Sequence, residues 1–209
     1  MQKFLAELKK QRWDDHRYYH HCRINQSLHL VSALSFLSAY VLIFMNPVAA
    51  ALMAWLVAMV TRQSGHFFFE PKGYDEVNHA THEHKEGIKV GYNLRRKIVL
   101  LSLWAAIPAV LWLQPTFFGL FARSSGRAEF VRHTCQLWLG LGLGALLFRT
   151  IQLFFQRSLL TGLAWFAKIV TDPFHDVYLY FRAPSYVLRG ERIDPMADVL
   201  EEAEIAHRA

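Results

Sequence analysis

Apolar residues crowd into four blocks, Leu28 to Met45, Val48 to Val60, Ile98 to Phe121 and Leu137 to Phe155, and the chain turns polar between them. A helix that crosses a bilayer needs about 20 predominantly apolar residues. The third block has that length by itself, and the others reach it once their flanks are counted. Asn46-Pro47 separates the first two blocks with almost no loop, so their helices must fold back as an antiparallel hairpin. Pro108 and Pro115 predict a kink or an end in the third helix. Gly140, Gly142 and Gly144 in the fourth permit close helix packing. The expected fold is an all-α integral membrane protein with about four transmembrane helices in two hairpins.

The polar stretches complete a single membrane domain over residues 1–209. Residues 1–27 form an N-terminal amphipathic, His-rich segment. Residues 28–155 form the four-span bundle with a His-rich loop at 66–97, and residues 156–209 an interfacial helix and tail. Phe4, Leu5 and Leu8 alternate with Lys9, Lys10 and Arg12, which predicts a short helix on the membrane surface. Leu159 to Val170 is apolar but short and predicts another. Met1 to Arg23 has no apolar core or small-residue cleavage site, so no secretory signal is expected there.

Composition agrees with this division. Apolar residues make up 53% and charged residues 19%, oilier than an ordinary soluble domain. The net charge of +6 sits beside the apolar blocks, as Arg12, Arg17 and Arg23 before the first and Arg95, Arg96 and Lys97 before the third. Cations so placed face anionic lipid and speak against nucleic acid as a partner. They put both termini and the His-rich face in the cytoplasm, at a bacterial inner membrane or an ER-type membrane. Cys22 and Cys135 are the only cysteines and lack CxxC spacing, which leaves neither a disulfide framework nor a thiolate zinc site.

Histidine is the residue this plan does not explain. Of the eleven, His16, His20, His21, His29, His66, His79, His82 and His84 all fall in the first 84 residues, beside apolar segments. The hairpin puts His29 and His66 at nearly equal depth, each roughly 25 to 30 Å from the Asn46-Pro47 turn at helical rise. His21, Asn25 and His29 repeat every four residues, as do His66 and Glu70, so each set aligns along a helical stripe. Pro71-Lys72-Gly73 ends the second helix, and a new one over Asp75 to Glu86 would carry His79, His82, Glu83 and Glu86 on one face. His175, after Asp172-Pro173, is expected at the surface. Imidazoles and carboxylates without thiolate suit iron, manganese or zinc.

Tyr19-His20-His21 followed by Asn25 and His29, then Gln63, Gly65-His66 and Phe69-Glu70, resembles the membrane 2-hydroxy fatty acid dioxygenase family of lipid α-oxidation. The resemblance covers about residues 18 to 70. The family follows its Phe-Glu with a basic pair and Pro-Ala, where this chain has Pro71-Lys72-Gly73. The resemblance implies an Fe(II) enzyme that uses O2 to shorten a 2-hydroxy fatty acid by one carbon, cleaving between C1 and C2. On that basis His21, His29 and His66 are expected as metal ligands; His82, whose cluster with His79 has no counterpart in the family, is expected to join them, with His20 and His79 as further candidates. Asn25 would orient a ligand or substrate, and Glu70 would ligate or hold a histidine. Arg23, Arg62 and Lys72 are cations that face lipid headgroups or, alternatively, receive the substrate carboxylate. Two other readings compete. His16-x-x-x-His20-His21 and His79-x-x-His82-x-His84 superficially resemble the histidine boxes of di-iron lipid hydroxylases and desaturases, and a non-catalytic metal-binding membrane protein would carry the same residues.

Overall fold

The computed structural model describes residues 1–196 except 71, 72 and 77. Within them the helices are α1 (Gln2–Tyr19), α2 (Arg23–Met45), α3 (Pro47–Phe69), α4 (His82–Ile88), α5 (Leu94–Leu113), α6 (Arg127–Gln156), α7 (Leu159–Tyr180) and α8 (Ala183–Leu188). No strand occurs among the described residues beyond two isolated bridges. Helices α2, α3, α5 and α6 are long and apolar enough to cross a membrane. Large apolar side chains such as Phe44, Leu103, Trp112 and Phe155 stand exposed on their outer faces. That is the arrangement of a bundle whose solvent is lipid, so the protein is an all-α membrane protein.

Local chemistry makes the first hairpin tight. Asn46 ends α2, and its side-chain oxygen accepts from the Ala49 amide at 3.1 Å, capping α3 while Pro47 fills the first helical position. Helix α3 then widens into π-helical turns at Met53–Met59 and Gly65–Phe69. Such turns shift the helical phase and so re-aim the side chains that follow, and the second one carries His66.

Three tryptophans join the two hairpins. Trp104 of α5 lies between Trp55 of α3 and Trp138 of α6, with ring centroids 5.9 and 5.4 Å away. The Trp55 indole donates to the Trp138 carbonyl at 2.9 Å, and Trp138 donates to the Trp104 carbonyl at 3.0 Å. Pro108 is accommodated inside α5, and Pro115 falls just past its end. Of the three glycines in α6, only Gly142 faces a neighbour closely: a methyl there would lie 3.6 Å from the Trp55 ring, whereas Gly140 and Gly144 face open space.

Two segments depart from expectation. The apolar run after Leu159 continues through Thr171-Asp172-Pro173 to Tyr180 as one 22-residue helix. Its charges point inward: Lys168, Asp172, Asp176 and Tyr180 are buried, while Leu159, Leu163, Phe174 and Tyr178 are exposed. The sequence reads as an end there only because the inward charges interrupt the hydrophobic run. Nor does the segment from Asp75 form a helix immediately. The Asp75 carboxylate accepts from the Asn78 amide at 3.1 Å, Asp75 and Ala80 exchange backbone bonds, and His79 takes a positive φ of 47°. A local side-chain bond of this kind competes with helix formation. Helix α4 starts only at His82, capped by Thr81.

Candidate metal centre

The centre forms where α1 stops. The helix ends at His20, Cys22 is extended and paired with Ile193, and the Asp194 amide donates to the His21 carbonyl at 2.7 Å. This break turns His20 inward. Asn25, fully buried one turn into α2, donates to the Tyr19 carbonyl at 2.7 Å and so clamps the backbone beside His20. His29 follows one turn later and is also fully buried. His66 arrives from α3 on the π-helical turn that starts at Gly65. A methyl group on Gly65 would come 2.1 Å from the Asn25 side-chain oxygen, so the two helices approach this closely only because residue 65 has no side chain.

The three rings meet. Their centroids are 4.0 Å apart for His20 and His29, 5.1 Å for His20 and His66, and 5.0 Å for His29 and His66. One nitrogen from each lies within 4.8 Å of the others. Each ring also faces a carboxylate through Nδ1. His66 bonds Glu70 at 2.7 Å, while Asp15 stands 3.8 Å from His20 and Asp176 stands 3.8 Å from His29. The Nε2 atoms of His20 and His29 are buried without a hydrogen-bond partner. An orphaned imidazole nitrogen is costly to bury, and three converging imidazoles backed by carboxylates are what a metal ion asks of its ligands. The residues therefore fit a metal, which His20, His29 and His66 can hold.

The surrounding charges are paired. Arg62 donates to Asp176 at 3.0 Å, and Lys168 bridges Asp15 at 3.0 Å and Asp172 at 2.7 Å. Burial by itself would raise the Asp15 carboxyl, but Lys168 and Arg62 outweigh it and hold Asp15 well below the usual carboxylate range. Burial drives His20 well below its ordinary value, with His29 adding to the effect, so its ring is neutral as a ligand must be. Tyr180 lies against His20 and His29, and its hydroxyl shares a hydrogen bond with His16 Nδ1 at 3.1 Å. Burial lowers His16 to about 4, which keeps its ring neutral.

Other candidates lie elsewhere. His21 is buried on the far side of the break, 3.9 Å from Asp75 and 3.3 Å from the Arg17 carbonyl. The His21-Asn25-His29 stripe does not exist as a helical face, because α2 begins only at Arg23. His79 and His82 are exposed, the first on its turn and the second at the start of α4. Glu70 backs His66, and Asn25 acts on the backbone before His20. Arg23 pairs with Asp194 at 2.9 Å, and Arg62 is committed to Asp176; Lys72 lies outside the described residues.

Asp15, Asp176 and Tyr180 are the functional residues missed in the sequence. Lys168, Asp172, Asp176 and Tyr180 recur every four residues, the same spacing that marks the α2 stripe, so one signal was present. A charged stripe on an apolar helix outside the four spans reads as surface.

A cavity of about 520 Å³ opens from the centre, with His66, Arg62 and Asp15 in its wall. It continues between the hairpins past Trp55 and Trp138 to Ile43 and Ala50, near the Asn46 turn. From Ala50 to His66 the wall follows about 24 Å of helix axis, most of the roughly 30 Å thickness of a hydrocarbon core. Comparison with protein-family models, with curated proteins and with solved structures returns no match, so what this centre does is argued from its own geometry.

Proposed function

We propose that the protein is a membrane-embedded Fe(II) dioxygenase that shortens a 2-hydroxy fatty acid by one carbon. The observation that carries this is a three-histidine cluster, with His20 and His29 buried and His66 on the wall of a long, largely apolar cavity. A ligand that matches both has a chelating polar head and an acyl tail. Iron bound there would supply the one-electron chemistry that dioxygen needs to react with a closed-shell acid.

The chain's own residues do the rest. His20, His29 and His66 would hold the metal, with Glu70 fixing the His66 ring through its 2.7 Å bond and Asp15 and Asp176 standing 3.8 Å behind the other two. Asn25 holds the Tyr19 carbonyl and with it the position of His20. Gln63 lines the cavity one turn before His66, and its buried side-chain oxygen lacks a donor, which suits a substrate hydroxyl. The cavity walls take the tail and keep water from the head. The basic flanks of α2 and α5 support a cytoplasmic orientation of this face.

The overall change balances without an outside reductant. One 2-hydroxy acid and one O2 give the acid one carbon shorter, carbon dioxide and water. A di-iron hydroxylase or desaturase would need two further electrons from a donor. Among the described residues this is the only group of three or more metal-ligating side chains close enough to share an ion, which favours one metal. The test is iron content and oxygen uptake of the purified protein with 2-hydroxyhexadecanoate, reductant omitted. About one iron per chain and equal consumption of O2 and acid are expected, with iron lost in both His29→Ala and His66→Ala. Full iron content in both variants would dismiss the ligand assignment, and uptake that requires a reductant would favour the hydroxylase.

A further inference from the structure

The charges lining the cavity leave one residue over. Four cations reach its wall: Arg62, Lys89, Lys97 and Lys168. Arg62 is neutralised by Asp176, Lys89 by Glu70 and Glu86, and Lys168 by Asp15 and Asp172. The wall's carboxylates are equally committed, Asp14 to Arg17, Asp15 to Lys168, and Asp172 to Lys168 and Arg12. The Lys97 side chain makes neither an ion pair nor a hydrogen bond among the described residues, although its backbone amide donates to the Asn93 carbonyl. It sits in the first turn of α5, where its neighbour Arg95 points outward and is exposed, whereas Lys97 is drawn in against the cavity. A lysine that only served to anchor the helix would extend to the headgroups as Arg95 does.

An ammonium facing a largely apolar cavity without a counter-charge calls for an anion from the ligand. The cavity shape supplies the remainder of the description, since its walls beyond the polar end are aliphatic and aromatic. We infer that Lys97 is the specificity-determining residue of the cavity, receiving the carboxylate of a long-chain acid whose tail runs between the hairpins. This rests on reading the cavity as the acyl pocket of the proposed enzyme, but it requires neither iron nor oxygen. It also replaces Arg23 and Arg62 as carboxylate receptor, because both already have acidic partners. The guanidinium of Arg62 serves the ring of His29 through Asp176 and is not free to follow a substrate.

Trp55, Trp138 and Trp165 line the same cavity, so binding can be read from their fluorescence in metal-free protein. The probe is 9,10-dibromostearate, which quenches indoles on contact, displaced by hexadecanoate or by hexadecanol. Wild type should show saturable quenching that hexadecanoate reverses at much lower concentration than hexadecanol. Lys97→Met should weaken hexadecanoate by about tenfold or more, as loss of a charge-assisted contact implies, and leave hexadecanol unchanged. Lys97→Arg should retain the preference for the acid. Equal affinity for hexadecanoate in wild type and Lys97→Met would overturn the assignment, and so would a wild type that takes acid and alcohol alike. Absence of saturable quenching would remove the acyl pocket itself. Failure of the iron reading shows instead as metal-free preparations with this acid preference intact.

Discussion

The two hairpins are built from similar apolar sequence and differ in what they enclose. The α2–α3 hairpin, with α1 and α7 packed on it, surrounds histidines, carboxylates and an arginine. The α5–α6 hairpin packs on its tryptophans: Leu111 is the one buried residue of α5, and the polar side chains that α6 buries, His133 and Arg149 among them, are engaged in bonds to Ser124 and to the Val90 carbonyl. Their glycines show the difference at atomic scale. Gly65 lets α3 come against Asn25 and His29, whereas Gly140 and Gly144 of α6 touch nothing. In the first hairpin that close approach brings two imidazoles together; the other tightly packed glycine, Gly162 of α7, lies against Phe154 and the Thr150 carbonyl of α6. The second hairpin completes the cavity wall and brings Lys97 to it.

Substitutions should separate these two kinds of hairpin, and the largest effect is expected at the buried ion pair. Asp176→Ala removes the partner of Arg62 and the carboxylate facing His29, which should cost about 3 to 5 kcal/mol and lower metal occupancy. Val99→Ala on the outer face of α5 should stay within about 0.5 kcal/mol. Equal thermal midpoints for the two in detergent would erase the distinction. Next come the glycines. Gly65→Ala forces a methyl into the Asn25 oxygen and should destabilise by about 1 to 3 kcal/mol, while Gly144→Ala should be neutral or stabilising by up to about 1 kcal/mol. Metal retained at wild-type level in Gly65→Ala would mean that the helices can part without disturbing the cluster.

The smallest effect is a pH dependence confined to the first region. His16 titrates at about 4 in the folded protein and at about 6.5 in the unfolded chain. Between those values the unfolded chain binds the extra proton, so stability is full above 6.5 and declines as pH falls towards 4. From pH 7 to pH 5 the loss from this group should be about 1 to 2 kcal/mol. Replacing it by His16→Phe should flatten that part of the profile in melts of metal-free protein. An unchanged slope would show that protonation elsewhere sets the acid sensitivity.

What the sequence by itself determined is what short-range physics controls. Long apolar blocks fixed helices of spanning length, Asn46-Pro47 fixed the hairpin, and equal distances from that turn brought His29 and His66 to one depth. The four-residue step from His66 to Glu70 placed the two within reach of one another, and they bond at 2.7 Å. Only the tertiary structure decided which neighbouring histidine joins them. A helix running unbroken through residues 18 to 29 would have delivered His21; the C-terminal segment pairing with Cys22 breaks it and delivers His20 instead. The same holds for Asp176, which lies far along the chain and faces inward because α7 exposes its apolar side and buries its charges. Orientation of a helix about its own axis is a property of what packs against it. In a membrane, where lipid accepts the apolar face, hydrophobic patterning loses its power to say which side is in.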